Sequence, residues 1–332
     1  MRLSLRVPAI LVTAAGAALL AYKARRFVPT TTTVSAFLST SSWTANVNRI
    51  NETDKFSMAR AAVVALSHGG GPMPVLGDPD SQALAGSMRT RVPAILGLED
   101  AARRPRAIVL VTAHWSTTKP TISAGPMHKL LYDYGGFPEE AYSLRYDAPG
   151  SPEVAGRVAE LLRGAGFDPQ LDLTRGWDHG VFVPLLLVRP QADIPVVQLS
   201  VLRSEDPAQH FAMGRALAAL RDENIAIVGS GFASFHNLRL MFSGLTHDPT
   251  LHARLSVWND AVSAAAAVPD AGERDARFRQ WRTWPDSYIA HPNGGAEHFL
   301  PLIVCAGAAG DVAAKSYADD YLGLNIHSYY WD

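Results

Sequence analysis

The sequence predicts a single α/β domain built on a largely parallel central sheet, with helices on both faces and a site at the carboxyl ends of the strands. Three observations carry that expectation. From residue 61 onward, short β-rich apolar runs alternate with longer helical patterns, the arrangement that gives a parallel sheet. No period of 20–50 residues repeats, which excludes solenoids and propellers. No stretch rich in Pro, Gly or Ser divides the chain after residue 57, so residues 58–332 read as one domain.

The elements follow in order. Residues 61–66 (AAVVAL) read as a buried strand, broken by Gly69–Gly71 and Pro72. A helix lies within 81–98 and ends near Gly97. Residues 107–112 (AIVLVT) form the clearest strand, a continuous run suited to burial on both faces. Residues 121–124 are a weaker strand. Ser151 caps a helix that Pro152 opens, running through Leu162. An apolar helix covers 181–188, a strand 194–200, an amphipathic helix 207–221 and a strand 225–228. Beyond Phe235 the patterns are helical, over 251–266, 271–284 and 296–309.

The composition is that of a globular protein, 48% hydrophobic and 18% charged, which excludes disorder, collagen and coiled coil. With 30 Lys plus Arg against 31 Asp plus Glu, there is no basic footprint for nucleic acid. The single cysteine, Cys305, excludes an internal disulfide framework and a thiolate metal cage.

Residues 1–57 read differently, as a basic leader. The first acid is Glu52, whereas Arg2, Arg6, Lys23, Arg25, Arg26 and Arg49 precede it. An apolar, Ala-rich segment at 7–22 would rise about 24 Å as a helix, short of the roughly 30 Å hydrocarbon core. The composition of residues 1–51, acid-free and rich in Arg and Ser, favours a mitochondrial presequence. A short membrane anchor and an inert tail on a cytoplasmic protein are the alternatives.

Eleven histidines are the chemical signal. His68 follows AAVVALS, His114 follows AIVLVTA, and His236 follows IAIVGSGFASF. In open α/β sheets the ligand crevice lies outside the carboxyl ends of the strands, so residues this far apart in sequence can converge. His179 sits in Arg175-Gly176-Trp177-Asp178-His179-Gly180, just ahead of an apolar helix. Any one histidine is more often a core or surface residue than a ligand. Placement of several at strand ends points to a shared imidazole site, which spacing alone does not assign to Zn, Fe, Cu or Ni. His210 and His252 fall inside helical patterns and His247 in a polar turn, as structural or exposed residues. His128 and His327 carry no signal.

Competing motifs are weaker. His68-Gly69-Gly70-Gly71 matches the oxyanion segment of some esterases, but no G-x-S-x-G elbow exists in the chain. Gly229-Ser230-Gly231 follows a strand as a dinucleotide fingerprint does, but Ser234 stands in place of the third glycine.

Eight segments in sequence carry a resemblance. They are Ser67-His68-Gly69, Thr112-Ala113-His114-Trp115, Tyr132 to Pro138, Tyr146 to Pro152, Arg175 to Gly180, Ile194 to Ser200, His236-Asn237-Leu238 and Glu297 to Leu302. In this order, from about Ala61 to Gly310, the chain resembles the class III extradiol ring-cleavage dioxygenases. The DOPA-dioxygenase type, related to the catalytic B subunit of protocatechuate 4,5-dioxygenase, is the nearest match.

The resemblance implies that His68, His114 and His236 bind one divalent metal, with His179 as acid–base group and candidate fourth ligand. Three neutral ligands would leave the ion its full charge for an anionic catecholate. It implies Fe(II) for catalysis, zinc as an alternative occupant, and O₂ as co-substrate, because Zn²⁺ has no redox chemistry. A catechol must lose a proton to chelate, and its phenol pKa lies near that of Tyr, about 10. A histidine with an unperturbed pKa of about 6.5 can take and return that proton.

Other matched positions have two readings each. His298 either donates to the substrate or an oxyanion, or caps the helix that follows. Asp178 either orients His179 or caps its helix. Tyr132 and Asp133 line the pocket mouth, with packing as the default reading for Tyr132, and His291-Pro292 shapes a loop. Two departures stand out: the family's His-Gly-Ser-Pro is here His68-Gly69-Gly70-Gly71-Pro72, and Tyr132 stands where some relatives carry His. The expected partner is a small aromatic diol, without nucleic acid. Membrane contact is confined to the leader, and a homodimer is compatible with the sequence. A zinc-dependent hydrolase and a non-catalytic metal-binding relative are the alternatives in function.

Overall fold

The computed structural model describes residues 60–332, so the leader and the boundary at residue 57 lie outside the described residues. Eight strands form one sheet: β1 (Val63–Ser67), β2 (Ala107–Thr117), β3 (Thr121–Ser123), β4 (Gln170–Asp172), β5 (Val196–Leu202), β6 (Ile225–Gly231), β7 (Lys315–Tyr321) and β8 (Leu324–Trp331). Their spatial order is β4-β3-β5-β2-β6-β1-β8-β7. The central strands β5, β2, β6 and β1 are parallel neighbours, as the apolar runs predict. Antiparallel pairs join β3 to β5 and add β8 and β7 beyond β1.

Burial explains the central run. Every residue of β1, β5 and β6 is buried, which suits strands covered on both faces. On one face, helices Gln82–Leu96 and His179–Val188 pack together. On the other, Leu300–Ala308 packs against Pro207–Leu217. The alternation of β6 separates the two faces. Ser230 reaches the Gly180 carbonyl on the His179 side. A Cβ at Gly229 would lie 2.6 Å from Cys305 Sγ, and one at Gly231 would overlap the His298 carbonyl. The Gly-Ser-Gly run thus allows a helix to approach the strand closely, which accounts for its partial likeness to a dinucleotide fingerprint.

Four expectations change. His114 lies within β2 rather than beyond it. The β2–β5 register shifts between Thr112 and Ser116, and this irregularity re-aims the residues between them. The helix expected over 296–309 begins at Leu300, and the one over 271–284 ends at Arg279, followed by a 3₁₀ turn at Trp281–Thr283. The helix over 207–221 breaks into Pro207–Leu217 and Ala219–Asp222. The β7–β8 hairpin has no counterpart in the sequence reading. No helix among the described residues is long and apolar enough to cross a membrane.

Candidate metal centre

β6 lies between β1 and β2, so the ends of β1 and β2 are two strand spacings apart, about 10 Å. Imidazoles extending from them can meet across the end of β6. His68 directly follows β1, and His114 leaves the irregular end of β2. His179 is the first residue of its helix, and His298 lies just before the helix Leu300–Ala308. The Nε2 atoms of His68 and His298 each lie 3.2 Å from Nε2 of His114. The ring centroids of His114 and His179 are 3.8 Å apart. His236 stacks on His298 with centroids 3.3 Å apart and planes 15° from parallel. Among the described residues, two groups offer ligand atoms within 4.8 Å of one another: His68, His114 and His179, and His236, Glu297 and His298. The structure therefore brings all five sequence-selected histidines together. It groups His236 with His298 rather than with His68 and His114.

The opposite nitrogens show why the Nε2 atoms are bare. Ser230 Oγ donates its only proton to the Gly180 carbonyl, so it can only accept from His68 Nδ1, 3.0 Å away. His68 is thus protonated on Nδ1. His179 Nδ1 donates to Asp133 Oδ1 at 2.8 Å, and His114 Nδ1 faces Asp133 Oδ2 at 3.4 Å. His298 Nδ1 donates to Glu297 Oε1 at 3.0 Å, while His236 Nδ1 is 3.8 Å from the same oxygen. His68, His179 and His298 direct Nδ1 at a hydrogen-bonding oxygen behind the ring, the pattern by which metal-binding histidines are oriented, while His114 and His236 have a carboxylate oxygen 3.4 and 3.8 Å from Nδ1.

Neutral rings are favoured at His68, His114, His236 and His298. Burial, then the neighbouring imidazoles, holds His68 and His298 well below the ordinary histidine range. Burial first, then His179, lowers His114 to about 3, and burial lowers His236 to about 4. Burial raises Asp133, but hydrogen bonding and charge from His179 outweigh it, and the carboxyl titrates below its usual value. Neutral imidazoles with bare nitrogens 3.2 Å apart repel unless a proton or a cation lies between them. With metal–nitrogen bonds of 2.0–2.1 Å, a tetrahedral site has ligand atoms about 3.3 Å apart. The donor set fits a divalent metal.

Asp178 follows neither sequence reading. Its buried carboxylate accepts from Thr112 Oγ1 and Gln198 Nε2 at 2.7 Å and from Arg175 Nη2 at 3.0 Å, touching neither His179 nor the helix N–H groups. Asp133 takes both roles from a distant segment, since its Oδ1 also accepts the His179 backbone N–H at 3.0 Å. His298 does not cap its helix: Phe299 holds the cap position and no side chain caps it. His210 is structural, accepting from the Leu202 N–H at 2.9 Å and donating to the Asp206 carbonyl at 2.7 Å. His291 donates to the Ala233 carbonyl from Nε2 at 3.0 Å. Sequence reasoning missed Ser230 and Glu297 as orienting groups, and assigned Asp133 only to the pocket mouth.

Aromatic rings adjoin the cluster. Tyr134 meets His179 at 5.7 Å, and Phe232 meets His68 edge-on at 5.7 Å. The glycine run after His68 has positive φ at Gly69 (85°) and Gly71 (54°), a backbone that Ser would strain at either point.

A doubly covered α/β sheet with a convergent imidazole site at its strand ends defines a metalloenzyme class, and comparison with known proteins narrows it. Residues 66–323 match the family described as the catalytic LigB subunit of aromatic ring-opening dioxygenase, and the chain belongs to that family. It is 52% identical over 283 residues to dioxygenase tasH of Hapsidospora irregularis, covering 82% of this chain and 86% of that one. It is 38% identical over 259 residues to the 4,5-DOPA dioxygenase extradiol of Escherichia coli (strain K12), covering 76% and 86%. The crystal structure of uncharacterized protein JW3007 from Escherichia coli K12 superposes with a TM-score of 0.63 at 32% identity, over 82% of this chain and all of that one. The protein is a metal-dependent extradiol ring-cleaving dioxygenase with a small aromatic substrate.

Proposed function

We propose that the substrate is a catechol of the DOPA type, that Fe(II) is the catalytic metal, and that His68, His114 and His298 hold it. His236 stands beside them as a fourth candidate. The observation that carries this ligand set is the pair of 3.2 Å Nε2 contacts made by His114, which favour His298 over His236 as the third ligand. Relatives that act as 4,5-DOPA dioxygenases support the substrate class. When bound, the metal supplies a Lewis acid for the diol oxygens and a redox path between the diol and O₂.

The chain's own residues do the rest. His179 Nε2, bare because Nδ1–H is committed to Asp133, accepts a catechol hydroxyl proton. The Asp133 carboxylate at 2.8 Å stabilises the imidazolium so formed. His179 then returns the proton as the ring opens to a semialdehyde. Tyr134, beside His179, offers an aromatic face for a planar ring.

Anaerobic loading with Fe(II), then addition of O₂ and a catechol panel that includes DOPA, tests the reading. A yellow ring-opened product is expected. Its absence across the panel, with metal bound, would overturn the substrate class. A zinc-loaded sample assayed on esters in parallel addresses the hydrolytic alternative. We further propose residues 1–57 as a mitochondrial import leader, supported by the acid-free, cationic composition of residues 1–51. A reporter fused to them should enter mitochondria, and a reporter that stays in the cytosol would reject the idea.

A further inference from the structure

We propose that Asp133 is a positioning residue that fixes the ring tautomers of His114 and His179 together, so one carboxylate aligns a metal ligand with the acid–base group. The inference rests on the roles given to those two histidines above. Its basis is the division of labour between the carboxylate oxygens. Oδ1 accepts two N–H groups of His179, from the ring at 2.8 Å and the backbone at 3.0 Å. Oδ2 faces His114 Nδ1 at 3.4 Å. With the carboxylate so shared, both rings would carry their proton on Nδ1 and present bare Nε2 atoms.

The backbone around Asp133 is pinned to support this. The Leu131 N–H donates to the Trp177 carbonyl at 2.7 Å and the Trp177 N–H to the Lys129 carbonyl at 2.9 Å, which ties this segment beside the one that carries His179. The Asp133 N–H donates to the Leu131 carbonyl at 2.9 Å, and Tyr132 Oη donates to the Leu144 carbonyl at 2.8 Å. Asp133 meets the nitrogens opposite the bare Nε2 atoms, so it orients the rings from behind rather than sharing their ligand.

An amide cannot serve both sides, because it has one acceptor and one donor end. In Asp133→Asn the acceptor end should stay with His179, which offers two N–H groups. The donor end would then face His114 Nδ1 and force the proton to Nε2, where it blocks metal binding.

The test begins with metal-free protein labelled with ¹⁵N-histidine, in which NMR reports the protonated nitrogen of each ring. Wild type should show His114 and His179 protonated on Nδ1. Asp133→Asn should move the His114 proton to Nε2 and weaken Co(II) and Zn(II) affinity by about 10- to 100-fold. Asp133→Glu, which restores two acceptor oxygens, should recover part of that affinity, with KM for the catechol changed less than kcat. Either ring protonated on Nε2 in wild type would overturn the proposal even if the Asn variant does not fold. Unchanged His114 protonation in Asp133→Asn, with affinity within about twofold of wild type, would also overturn it. Expected tautomers in a wild type that takes up no metal would support the Asp133 assignment and reject the ligand reading instead.

Discussion

Ser230 determines which nitrogen of His68 is free. The hydroxyl gives its proton to the Gly180 carbonyl, leaving only its lone pairs for His68 Nδ1 at 3.0 Å. Ser230→Ala should let the His68 proton move to Nε2, lowering metal affinity about tenfold or more. It should also destabilise the fold by about 1–3 kcal/mol, because the Gly180 carbonyl loses a buried donor. Competition with a chromogenic chelator measures the first effect and urea unfolding the second.

The two histidines nearest His114 should separate by phenotype. His298→Ala removes an Nε2 atom 3.2 Å from that of His114 and should cut bound metal severalfold, as measured by elemental analysis. His179→Ala should retain the metal and lose at least 100-fold in kcat, the usual scale for acid–base groups. Loss of metal in His179→Ala would make His179 a ligand.

Asp178 should matter to folding rather than chemistry. Removing it leaves Thr112, Gln198 and the partly buried Arg175 without their common acceptor. Asp178→Ala should destabilise the protein by about 3–5 kcal/mol, the scale for breaking a buried ion pair. A denaturant midpoint within error of wild type would contradict this.

Acid should destabilise the metal-free protein before its carboxylates titrate. Burial lowers His210 to about 4 and His291 to about 3. With unfolded values near 6.5, the unfolded chain binds more protons below that pH, so stability falls as pH drops. For His210 the loss runs from about pH 6.5 down to about 4 and is on the order of 3 kcal/mol. His210→Gln should flatten the decline in urea midpoint across that window; an unchanged slope would refute the assignment.

Much of the central sheet was legible because strands buried on both faces must be continuous apolar runs, as β1, β2, β5 and β6 are. The β7–β8 hairpin was not, because its strand carries Asp319 and Asp320, residues depleted in strands. Asp319 is accommodated only because Ser87, far away in sequence, donates to it at 2.6 Å. His68, His114 and His236 could be selected because strand ends are where an α/β sheet puts its ligands, and His179 and His298 came from the segments that carry the family resemblance. Their orienting partners could not, since Ser230 lies 162 residues from His68, and Asp133 lies 46 from His179. Asp178, adjacent to His179, was the natural candidate from sequence and is the wrong acid, because its side chain turns toward Gln198 and Thr112.

By itself the sequence determined the layered α/β domain, its family and the imidazole chemistry of its site, because periodicity and residue type act locally. Only the tertiary structure decided which oxygen stands behind the imidazoles of His68, His179 and His298, and that the Nε2 atom of His298 lies beside that of His114. Those outcomes depend on hydrogen-bond directions between segments that meet only when β6 is inserted between β1 and β2.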